Sequence, residues 1–230
     1  MDLSRNGCTR TVEQLAPALS GLPQLASLRL TGNGIGAAGG AALATLLGSL
    51  TALTSLFLGH MYIDFGDDFA EALSRLSRLA YLHLADTRIG DEAAAALAGR
   101  LSALSSLTAL NLSGNDIGVV GVQSLAPALR ILPRLASLDL GCNVNMGAAG
   151  TAALAVHLST LTTLTALCLS GHAFAQNEDE DGFEEVASSI EVLPPVLRCL
   201  SRLADLSLCR YTIEASRLQR WWPRSAVSPR

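Results

Sequence analysis

The 230-residue sequence contains no lysine: all sixteen basic residues are arginine. No internal side chain is therefore available for lysine acetylation or ubiquitination. The cysteines number five, an odd count, and Cys8, Cys142, Cys168, Cys199 and Cys209 are irregularly spaced. That excludes a fully paired disulfide framework and points to a reducing, cytoplasmic setting. Half the residues are hydrophobic, yet no uninterrupted apolar run reaches the roughly 18 residues of a membrane-spanning helix. The opening MDLSRNGCTR has no apolar core of the kind a secretory leader carries, so none is expected. A net charge of −4 gives no general reason to expect nucleic acid.

Chemistry-bearing motifs are also missing. The glycine-rich stretch 32–40 lacks the Gly-Lys-Ser/Thr element of a phosphate-binding loop. There is no nucleophile elbow. The four histidines, His60, His83, His157 and His172, have no i, i+4 pairing on a helix, and zinc needs four converging ligands. No catalytic residue, metal site or cofactor is expected.

What the sequence does contain is one stretch repeated. Leu107-Thr-Ala-Leu-Asn-Leu-Ser-Gly-Asn-Asp-Ile-Gly118 has relatives starting at Leu25, Leu53, Leu79, Leu135, Leu164 and Leu203. The steps between them are 28, 26, 28, 28, 29 and 39 residues, the spacing of a stacked-repeat architecture. Leucine occupies the fourth and sixth positions of every unit, so each unit opens with a short strand that buries one face. The ninth position is Asn33, Asn115 and Asn143 in three units. A buried Asn is costly unless hydrogen-bonded, and at a sharp turn it satisfies backbone groups of adjacent coils. The eleventh is Ile or Phe, except in the fifth unit, where a one-residue bulge is expected to put Met146 there.

The second half of each unit has the helical period. Ten, six and three residues before each first Leu lie columns such as Leu43/Leu47/Leu50 and Leu97/Leu101/Leu104, all on one helix face. The column between them is Ala16, Ala44, Ala70, Ala98, Ala126 and Ala155, which lets neighbouring helices approach closely. Neither strand nor helix can bury its face without the next coil.

On these residues the chain resembles the ribonuclease-inhibitor-like subclass of leucine-rich-repeat proteins, from Leu3 to about Arg217. The resemblance implies a right-handed α/β leucine-rich-repeat solenoid, a horseshoe of about seven repeats, with parallel strands on the concave side and helices on the convex side. It also implies a protein-interaction scaffold rather than an enzyme. Proteins that activate the GTPase Ran share this repeat type, and Arg88, on a strand-to-helix loop, is the candidate for an arginine supplied in trans.

Residues 1–216 read as the repeat domain and 217–230 as a C-terminal cap or tail that includes Trp221-Trp222. The first repeat is truncated, since Leu3-Ser-Arg-Asn6 superposes on Leu30-Thr-Gly-Asn33. An uncapped coil invites self-association or another chain at that edge. Pro17, Pro127 and Pro194-Pro195 fall in helical segments, which are expected to kink or begin late. Asp91-Glu92 opens another helix, and there complements its dipole. An acidic insertion at about 175–186 reads as a solvated loop rather than a calcium site, because it lacks EF-hand ligand spacing.

Strand residues alternate, so the third, fifth and seventh positions face away from the helices. Large side chains gather there in units one to four: Arg29, Phe57, Tyr81 and His83, with Tyr62 and Arg88 on the adjoining loops. Asn111 and Asp139 continue the same column. These eight residues are the candidate contacts for a protein or peptide. Seven strands at roughly 4.8 Å spacing, three exposed residues wide, present on the order of 300–450 Å². A standard interface takes about 800 Å² from each partner, so loops must add area.

Overall fold

The computed structural model describes residues 1–5, 11–33, 36–63, 65–171, 193 and 197–208. The acidic insertion, Pro194-Pro195, Trp221-Trp222, His172, Cys8 and Cys209 lie outside the described residues.

Strands and helices alternate along the chain. Helix α1 (Thr11–Ser20) precedes strand β1 (Ser27–Arg29), and then come α2 (Gly36–Leu47), β2 (Ser55–Phe57), α3 (Asp67–Ser74) and β3 (Tyr81–His83). They are followed by α4 (Asp91–Arg100), β4 (Ala109–Asn111), α5 (Val119–Leu129), β5 (Ser137–Asp139), α6 (Gly147–Leu158), β6 (Ala166–Cys168) and β7 (Asp205–Ser207). The seven strands form one parallel sheet in chain order. Register follows the repeat: Leu28, Leu56, Leu82, Leu110, Leu138, Leu167 and Leu206 are successive partners. Residues 1–5 continue the sheet beyond β1, with Leu3 N–H donating to Arg29 O and Arg5 N–H to Thr31 O. Leu30 and Gly32 make the same two bonds to the next coil, to Phe57 O and Gly59 O.

A single leucine core runs the length of the stack, between the sheet and the helices. Leu43, Leu47, Leu50, Leu53, Leu56 and Leu58 are fully buried, and they stand for all the columns of one unit. Fully burying such a side chain is worth about 1.5–3 kcal/mol, and every coil supplies several. Met146 is buried and Asn145 exposed, as the bulge requires.

The buried asparagines form the expected ladder. Asn115 Nδ2 donates to Leu84 O (2.8 Å) on the preceding coil and to Leu112 O (3.0 Å) on its own. Its Oδ1 accepts from Thr87 N, Thr87 Oγ1 and Ile89 N. Asn143 repeats the pattern one coil on, donating to Leu112 O and Leu140 O and accepting from Ile117 N. Thr87 takes the Asn place in the third unit, and Met61, fully buried, fills it in the second.

One helical detail differs from the sequence-based expectation. Pro17 and Pro127 do not delay their helices: α5 starts at Val119, directly after Gly118, and each proline sits in the last turn. Each proline removes one helical hydrogen bond and crowds the carbonyl four residues earlier, but it comes after the rest of its helix has formed. Helix α4 opens on Asp91-Glu92, as expected, and passes into a 3₁₀ turn at Leu101–Ala103.

Candidate partner-binding face

The in-register sheet brings the fifth position of each unit together in a row. Arg29 places its Cζ 3.9 Å from the centroid of the Phe57 ring, a cation–π stack. The Phe57 and His83 rings follow, with centroids 6.0 Å apart and planes tilted by 38°. His83 leans over the neighbouring coil: a Cβ on Gly59 would lie 2.7 Å from its Cε1. Glycine at 59 is what leaves room for the imidazole. Burial lowers the His83 pKa below its ordinary 6.5, and its Nδ1 has no hydrogen-bond partner among the described residues. At neutral pH the ring is uncharged, an apolar continuation of the Phe57 surface.

The row changes character at unit four. Asn111 Nδ2 donates to Asp139 Oδ2 at 3.3 Å, and Asn111 Oδ1 accepts from Ser113 N and Oγ. Asp139 Oδ1 accepts from Gly141 N at 2.9 Å. These bonds stiffen the polar half of the row but occupy part of the capacity that a ligand would use. Tyr81, at the third position of its unit, is 51% exposed beside this row.

Above the strands, the tenth positions of units two and three form a second stack. Arg88 Cζ lies 4.0 Å from the centroid of the Tyr62 ring, and Tyr62 is 56% exposed. Phe65, on the same loop, is instead buried against Phe69 with centroids 4.9 Å apart. The loop's aromatics thus split: one faces the core and one faces solvent.

The backbone marks the same region. The eighth residue of each described unit has positive φ: Arg5, Gly32, His60, Asp86, Gly114, Cys142 and Gly171. Where it is not glycine, the left-handed conformation costs roughly 1–2 kcal/mol. Arg88 is left-handed too, at φ 62°. Three of the five non-glycine cases, His60, Asp86 and Arg88, therefore sit on the loops of units two and three. His60 Nδ1 and Asp86 Oδ2 approach to 3.3 Å there.

Arg29, Phe57 and His83 thus meet in one row, with Tyr81 beside it and Tyr62/Arg88 on the loop edge. Asn111 and Asp139 form a separate, internally bonded pair. His60 and Asp86 were not among the sequence candidates. The signal available was their place in a column that is glycine in units one, four and six.

A leucine-rich-repeat family model matches residues 23–44, 79–98 and 103–126. Those segments hold three coils of the sheet-and-helix stack described above. The fold is an α/β leucine-rich-repeat solenoid. The chain is also similar to the solved structure of leiomodin-1 actin-binding site 2, at 26% sequence identity and a TM-score of 0.42. The match covers 57% of this chain and 73% of that one. No curated protein matches the sequence. Among the described residues no group of three metal-ligating side chains occurs, and no helix is long and apolar enough to cross a membrane.

Proposed function

We propose that the chain is a binding scaffold whose strand face, in units one to four with the adjoining loops, holds a protein or peptide. One observation carries this: two arginine–aromatic stacks and an exposed tyrosine converge where left-handed non-glycine residues cluster. Strained backbone persists where surrounding structure over-determines it, which is common at ligand sites. Stacked arginines keep their N–H edges available while their faces are held, so little ordering cost remains on binding. We assign the repeats to the ribonuclease-inhibitor-like type, on units of about 28 residues that each carry a full helix. The GTPase-activator alternative has less behind it, because the Arg88 guanidinium is held over the Tyr62 ring.

Affinity capture from the native cell, comparing wild type with a Phe57→Ala/Tyr81→Ala double variant, tests the proposal. Partners of the strand face are expected to drop at least tenfold in the variant, since each truncation at such an anchor costs about 2 kcal/mol. Partners retained in full by the variant would place binding elsewhere. A turnover assay with small GTPases separates the activator alternative.

A further inference from the structure

The helix-to-strand edge of the solenoid is basic, and the opposite edge is acidic. Arginine pairs occur in alternate units: Arg75/Arg78 in the third, Arg130/Arg134 in the fifth and Arg198/Arg202 in the seventh, all exposed. Arg100 lies between them and pairs with Glu71 at 3.1 Å; the other six have no ion pair among the described residues. No carboxylate occurs in the turns that form this edge, 21–26, 48–54, 75–80, 101–108, 130–136, 159–165 and 198–204. On the strand-to-helix edge stand Asp67, Asp68, Asp91, Glu92 and Asp116.

Helix dipoles explain part of this segregation, because acids suit helix starts and bases suit helix ends. They do not explain Arg78, Arg134 and Arg202, which stand beyond the helices, directly before the first leucine of a repeat unit. Those three occupy the same repeat position at intervals of two strands, hence about 10 Å between neighbours along a straight edge.

We infer that this edge docks on an anionic lipid surface. Three features select a bilayer over other polyanions. No aromatic side chain lies in these turns, whereas single-stranded nucleic acid is held by aromatic stacking. Six exposed arginines with no ion pair among the described residues form a diffuse field, not the desolvated pocket of a protein hot spot. Ile131, between Arg130 and Arg134, is 57% exposed, and Leu22 on the same edge is 44% exposed, so apolar groups project among the charges. Apolar side chains of that kind insert at the headgroup boundary while cations hold the anionic lipid.

The net charge of −4 does not oppose docking in this orientation. The ten residues of α4 separate the two edges by about 15 Å, roughly two Debye lengths at physiological salt, so the membrane senses the near edge. The strands then stand along the membrane normal, and the strand face stays open to its own partner.

Co-sedimentation with phosphatidylcholine vesicles, with and without about one-third phosphatidylserine, tests the inference. Wild-type protein is expected to partition onto the anionic vesicles at about 0.1 M salt and to release at about 1 M, where screening is within about 3 Å. Each arginine near the surface contributes about fivefold, so Arg130→Gln/Arg134→Gln is expected to lose more than tenfold. Ile131→Ser is expected to weaken vesicle partition while leaving heparin binding unchanged. Thermal unfolding by circular dichroism verifies that each variant is folded. The inference is overturned if wild type ignores the anionic vesicles, if folded arginine variants partition as well as wild type, or if heparin or an oligonucleotide binds while vesicles do not. Phe57→Ala/Tyr81→Ala should leave vesicle partition intact, which keeps this edge distinct from the strand face.

Discussion

Asp91 Oδ1 accepts hydrogen bonds from Gly118 N (2.7 Å) and Gly121 N (2.9 Å), so a residue at the start of α4 caps the start of α5. Gly118 has no side chain to cap its own helix, and the preceding coil supplies the carboxylate. The bonds are charge-assisted and join adjacent coils.

Asp91→Ala is therefore expected to destabilise the fold by about 1–2 kcal/mol, the range of a lost helix cap. Glu92→Ala should change stability by less than about 0.5 kcal/mol, as ordinary exposed positions do. Urea denaturation of the two variants gives the comparison. Equal effects would show that dipole complementation, which the two acids share, outweighs the inter-coil bonds.

The asparagine ladder sets a larger effect. Asn115→Ala leaves Thr87 N and Ile89 N buried without their acceptor, and takes one donor each from Leu84 O and Leu112 O, which keep Thr87 Oγ1 and Asn143 Nδ2. Unsatisfied buried groups cost about 1–3 kcal/mol each, with partial relaxation, so a loss of roughly 3–4 kcal/mol is expected. Thr87→Val removes one hydroxyl and leaves Asn115 Oδ1 with two backbone donors, for about 1–2 kcal/mol. Denaturation midpoints read both; a Thr87 effect as large as that of Asn115 would contradict the ladder's assigned hierarchy.

Left-handed positions respond oppositely to exchange with glycine. Gly114, at φ 65°, would direct a Cβ into the Asp86 carboxylate, so Gly114→Ala should cost about 2 kcal/mol or more from strain and overlap. Cys142, at φ 56°, occupies the equivalent place, and Cys142→Gly should gain up to about 1 kcal/mol. Thermal unfolding of the pair checks the signs. Stabilisation by Gly114→Ala would refute the left-handed column.

These examples separate what was legible in the sequence from what was not. The leucine columns, the Asn turns and the Met146 bulge were readable because periodicity alone assigns them to a buried face. Backbone handedness at His60, Asp86 and Cys142 was not, because only glycine announces a positive φ. The Asp91 bonds escaped notice for another reason: an acid near a helix start suits its own dipole, and only the offset between coils shows that its oxygen reaches the next helix. Arg29, Phe57 and His83 were placed in one column by counting, but counting did not show Arg29 lying on the Phe57 face.

Acid should weaken the fold through His83. Burial depresses its pKa, so below about 6.5 the unfolded chain takes up a proton that the folded chain resists. The neutral ring's stability is fully present above the unfolded pKa and is lost as pH falls through the depressed folded value. Denaturation at about pH 7.5 and about pH 5 is expected to show that loss, with a smaller difference in His83→Gln. An unchanged pH dependence in His83→Gln would rule out His83 as its source.

The central assignment is that units one to four present the binding face. Hydrogen exchange of the chain, free and in complex with a partner captured by wild type but not by Phe57→Ala/Tyr81→Ala, tests it most directly. Slowed exchange is expected in residues 27–31, 55–62 and 81–88, with the convex helices α5 and α6 unchanged. Protection confined to those helices, or to the arginine edge, would contradict it.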